Sequence, residues 1–103
     1  MEIIWSKGAI RSLNATLKYW IKHNKSDAYS KKLYKMVSDE LSNLSEKIES
    51  KVLVPFFEPD KILIDKKYSI FYKVNWENNE LLIVRFWDNR RNPANLKLKI
   101  KEL

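Results

Sequence analysis

The residues best suited to chemistry in this chain are three arginines and a tryptophan crowded into RFWDNRRNP, Arg85 to Pro93. Arg85, Trp87, Arg90 and Arg91 offer forked cationic donors beside an aromatic plane, a combination that grips phosphates and carboxylates. Few other reactive groups are present. The chain has no cysteine and one histidine, His23, so disulfides, thiolate chemistry and a histidine-rich metal site are all excluded. No cofactor is expected. His23 reads as a cap near the C-terminus of a helix and Asp88 as a restraint on the arginine turn through nearby backbone amides.

Positioning of the arginines falls to the segment before them, YSIFYKVNWENNELLIVRFW from Tyr68 to Trp87. Apolar residues alternate on two arms, and Asn78-Asn79 between them suits a two-residue turn. Pairing Glu77 with Glu80 predicts a register in which Trp76 faces Leu81, Val74 faces Ile83, Tyr72 faces Arg85 and Ile70 faces Trp87. Phe71, Lys73, Leu82, Val84 and Phe86 take the other side. Apolar residues on both sides predict a hairpin central in its sheet that delivers Arg85, Arg90 and Arg91 to one place.

Charge is distributed unevenly. The net charge of +7 includes six basic against two acidic residues from Arg85 to Leu103, whereas Lys51 to Val84 is neutral. An excess at one end, beside a rigid strand, points to an acidic or polyanionic partner. With 45% hydrophobic residues, the 103 residues suffice for one domain with a core. The start of the chain resembles no signal peptide and no apolar run approaches a membrane span, so no membrane is expected and the location is read as cytoplasmic.

Upstream, Glu2 to Trp5 reads as a short strand and Ser6 as a helix N-cap. Ile10, Leu13, Leu17, Trp20 and Ile21 form the apolar stripe of a helix from about Gly8 to His23. Ser26 and Asp27 start a second helix, marked by Leu33, Val37, Leu41, Leu44 and Ile48, and the short link predicts an antiparallel helical hairpin. Extended segments follow at Val52-Leu53-Val54 and Ile62-Leu63-Ile64, with turns at Pro59-Asp60 and Asp65-Lys66-Lys67. Asn92-Pro93 reads as the start of a brief helical turn. The tail Leu96-Lys97-Leu98-Lys99-Ile100-Lys101 alternates as an edge strand does.

Strand, helical hairpin and closing meander, with the opening Ile3-Ile4-Trp5-Ser6, Ala9, the Tyr68-to-Val74 strand and RFWDNRRNP, resembles the RelE/ParE superfamily of toxins from bacterial type II toxin-antitoxin pairs. The closing motif is similar to a branch with W-D-x-R-x-x-P after the last strand. The fold implied is α+β: an N-terminal strand, an antiparallel two-helix hairpin, then an antiparallel β-meander packed on the helices. The resemblance further implies growth arrest and neutralisation by a co-encoded acidic antitoxin, for which Leu96, Leu98 and Ile100 offer a strand edge.

Two activities divide such toxins: cleavage of messenger RNA on the ribosome, and poisoning of DNA gyrase through protein contact. Cleavage needs several donors converging on one phosphate and a proton acceptor for the ribose hydroxyl. The candidates here are Lys61, alone where a pair of lysines is common, Arg85, and Arg90 or Arg91, of which one matches the arginine just past the final strand. Ser69 stands where the ribonucleases commonly carry arginine, and Asn92 to Leu96 holds no tyrosine or histidine. This depletion favours the gyrase reading. A basic nucleic-acid-binding module without toxicity is the alternative from another class.

Overall fold

A computed structural model of the chain describes residues 1–51 and 60–91. The element order is β1 (Glu2–Trp5), α1 (Lys7–Asn24), α2 (Ala28–Glu49), β2 (Asp60–Ile64), β3 (Tyr68–Asn75) and β4 (Glu80–Asp88). The strand read at Val52 to Val54, the turn at Asn92-Pro93 and the alternating tail with Leu96, Leu98 and Ile100 lie outside the described residues.

Ser6 starts α1 as its sequence suggests, accepting a hydrogen bond from the Ala9 amide at 3.0 Å. The same hydroxyl donates to the Val84 carbonyl at 2.9 Å, so the helix start is tied to β4 as well as capped. Lys25 ends α1 in a left-handed conformation (φ 53°), and its amide reaches the Ile21 carbonyl. The helices then fold back on each other, and the buried Ser30 hydroxyl donates to the Leu17 carbonyl at 2.6 Å. All five stripe residues of α2, from Leu33 to Ile48, are buried. In α1 the stripe is narrower than its spacing suggests: Leu13 is buried, but Ile10 and Ile21 are exposed.

The sheet order is β1-β4-β3-β2, so the β3–β4 hairpin is central. β2, β3 and β4 form the antiparallel meander, and β1 adds beside β4 in parallel, making a mixed sheet. Ile64, Tyr68, Ile70, Tyr72, Val74, Leu81, Ile83 and Phe86 join the buried residues of both helices in one core. The α+β architecture therefore has its helical hairpin packed on one face of the sheet.

Two features of the hairpin depart from the expected register. First, Asn75 pairs with Glu80, leaving a four-residue connection rather than a two-residue turn. The Asn75 side chain accepts from the Asn78 amide at 3.2 Å and Asn79 takes the positive φ of 54°, a turn closed by a side chain that alternation does not reveal. Second, Tyr72 pairs with Ile83 but Phe71 pairs with Arg85, so Val84 is an extra residue, a β-bulge. Burial in β4 accordingly runs Leu81, Ile83, Phe86. The bulge exchanges the two faces beyond it: Phe86 enters the core, and Arg85 pairs with Phe71 rather than with Tyr72.

Loss of the Ser6 hydroxyl removes a helix cap and a tie to the bulge together. Ser6→Ala is expected to lower the unfolding free energy by about 1–2 kcal/mol in urea titration. Ser6→Asp, which keeps the cap acceptor but not the donor to Val84, should recover part of that loss. Equal stability of wild type and Ser6→Ala would contradict this account.

Candidate binding site at the exit of the last strand

Where β4 ends, the chain turns sharply beside α1. The Asp88 carboxylate accepts from the Arg90 amide at 2.9 Å, which fixes the turn as its sequence suggests. It also receives the Arg90 guanidinium: Nε at 2.9 and 3.2 Å, and Nη2 at 2.6 Å. The Asn89 amide donates to the Lys67 carbonyl at 2.8 Å, and the Ser69 hydroxyl to Asn89 Oδ1 at 2.7 Å. The turn is thus pinned to the start of β3 as well as to itself.

Trp20 of α1 is the other wall. Its indole Nε1 donates to the Tyr68 hydroxyl at 2.7 Å, and Tyr68 stacks on Phe86 with ring centroids 5.2 Å apart. Arg90 and Lys67 both hang over the indole, at 5.6 and 6.0 Å from its centroid. Tyr29 meets the indole edge at 5.1 Å and donates its hydroxyl to Asp65 at 3.2 Å. Burial, then Tyr68, then this bond to Asp65 push the Tyr29 phenol up to about 12, so it remains a neutral donor.

Between these walls lies an open cleft of about 460 Å³, lined by Ser12, Thr16, Tyr19, Trp20, Tyr68, Phe86, Asp88, Arg90 and Arg91 among others. Arg91 stacks on Trp87 at 4.8 Å and is exposed. Trp87 itself retains only 9% exposure, so a partner arriving at this turn meets Arg91 before it meets Trp87.

The three arginines do not share one place. Arg90 and Arg91 line the cleft, whereas Arg85 runs to the first turn of α1, where its Nη1 lies 3.7 Å from the point a β-carbon on Gly8 would occupy. Lys61 and Arg85 flank Phe71 in one cross-strand row, apart from the cleft. The four cations suggested for phosphate chemistry are therefore divided between two places. Among the described residues no cluster of three or more His, Asp or Glu could hold a metal ion.

The sequence marks none of Trp20, Lys67 and Tyr68 as a site residue, and its spacing puts Trp20 in a packing stripe. The available signal was the indole N–H, which needs a partner when its ring is largely covered. No protein-family model, curated protein or solved structure matches the chain.

The hydrogen bonds from Arg90, opposed by partial burial, hold the Asp88 carboxyl below its ordinary value of 3.8. A carboxyl depressed by folding contributes stability above the unfolded value, and this is lost as pH falls through the folded one. Asp88→Asn should therefore be less stable than wild type at pH 7, with the gap closing below about pH 4. Arg90 is 55% exposed and screened by water, so the ion pair's share is held to about 1 kcal/mol or less. A gap that persisted unchanged at pH 2.5 would assign the effect to the neutral hydrogen bonds of the turn.

Proposed function

We propose that the chain is the toxin of a type II toxin-antitoxin pair, of RelE/ParE type, and that it arrests growth by contacting DNA gyrase rather than by cutting RNA. The element order supports this reading: a strand, a helical hairpin and an antiparallel meander, as the resemblance implies. The observation that carries the choice of mechanism is the division of the cations. A ribonuclease of this kind requires donors converging on one phosphate. Here Lys61 and Arg85 share a cross-strand row with Phe71, the Arg85 guanidinium reaching the first turn of α1, while Arg90 is engaged by its own Asp88 in the cleft.

Arg91 is the cation suited to a partner. It is exposed, extends from a turn held by four hydrogen bonds, and has no carboxylate in ion-pair reach among the described residues. A fixed arginine backed by an aromatic ring loses little freedom on binding, which is the property of a central interface anchor. The co-encoded antitoxin is an acidic partner for the same turn.

Induced expression of the chain is expected to halt bacterial growth, and the purified protein to block supercoiling of relaxed plasmid by gyrase. Arg91→Ala should reduce supercoiling inhibition about tenfold or more, the loss expected of one anchor arginine, with an unchanged circular dichroism spectrum. Normal growth under full expression would overturn the toxin reading. Growth arrest with unimpaired supercoiling would overturn the gyrase target alone.

A further inference from the structure

Helix α1 contains Lys7, Arg11, Lys18 and Lys22 and no acidic residue. At 3.6 residues per turn these four positions fall within about 60° of arc, a single stripe running about 22 Å along the helix. All four are exposed, and the positions between them on that face, Asn14 and Ala15, are exposed too. None of the four makes an ion pair among the described residues. By contrast, Lys31 and Lys35 of α2 are each neutralised by an aspartate four residues away, at 3.1 and 2.9 Å.

Helix stability does not account for this arrangement. Lys7 lies in the first turn, at the positive end of the helix dipole, where an acidic residue would be favoured and none is present. On one flank of the stripe Tyr19, 52% exposed, stacks on His23 with centroids 5.4 Å apart and planes at 15°. The stacked pair offers an aromatic surface next to Lys18 and Lys22.

We propose that this face of α1 binds single-stranded nucleic acid, with the four cations along the phosphates and the Tyr19–His23 pair as a stacking platform for a base. An acidic peptide fits less well. Within its arc the stripe presents only cations, Asn14 and Ala15, the exposed Ile10 and Ile21 lying on the flank opposite Tyr19, and charge without apolar burial gives appreciable affinity chiefly where a polyanion releases condensed counterions. Unpaired cations beside an exposed ring are the elements of sequence-tolerant single-strand binding. The inference needs only α1 and stands whether or not gyrase is the target.

Fluorescence anisotropy of the full chain with a labelled 12-nucleotide oligo-dT tests it. Four phosphate contacts predict a slope of about −2.8 for log affinity against log salt, falling to about −1.4 in Lys18→Ala/Lys22→Ala. Tyr19→Ala should weaken binding about tenfold with the slope nearly unchanged. All three positions are exposed, and circular dichroism checks that the variants fold. Absence of binding at low salt, or an affinity unaffected by the double substitution, would overturn the proposal. So would an equally tight complex with poly-glutamate, which would assign the stripe to an acidic protein.

Discussion

The hydrogen bond from the Trp20 indole to the Tyr68 hydroxyl joins α1 to the sheet across 48 residues of sequence, and the geometry of the cleft depends on it. Tyr68 is fully buried at the start of β3, so its hydroxyl is a fixed point. With the indole anchored there, Arg90 and Lys67 have a ring to lie over and Tyr29 an edge to pack against. Three connections meet at this place: the link between the helices, the β2–β3 turn and the exit of β4. None brings a large apolar surface of its own, so a bonded aromatic ring covered by cations holds them together.

The same junction separates structural cations from available ones. Arg90 is satisfied twice, by Asp88 and by Trp20, and acts as a strut between β4 and α1. Arg91, one residue further, is backed by Trp87 and directed outward. Adjacent arginines thus have different tasks, set by the Asp88 carboxylate that captures the first. The bulge at Val84 performs a similar separation within β4, moving Arg85 to the face that carries Lys61 and leaving Phe86 in the core.

The helices, the central hairpin and the Ser6 cap were legible in the sequence because each is encoded locally, by spacing or by a neighbouring hydroxyl. The register was not. It is decided by the Asn75 side chain closing a four-residue connection and by one inserted residue, and both leave the alternation of apolar residues nearly intact. Closeness in sequence groups Arg85 with Arg90 and Arg91, but the fold sends Arg85 to the first turn of α1 and the other two to the cleft. The cleft was half visible: its arginines were plain in RFWDNRRNP, but Trp20 and Lys67 reach it only through tertiary contacts that no spacing encodes. The basic stripe of α1 lies at positions 7, 11, 18 and 22, readable from helical geometry, yet its lack of acidic partners emerges only against the paired lysines of α2.

The central claim, that a divided set of cations serves contact rather than cleavage, is tested most directly by translating a linear messenger in a purified cell-free system lacking gyrase, with and without the folded protein, and mapping the RNA ends. The account predicts unimpaired synthesis and intact messenger. New ends inside ribosome-bound codons, with synthesis stopped, would contradict it and make Lys61, Arg85, Arg90 and Arg91 parts of a ribonuclease site assembled only on the ribosome.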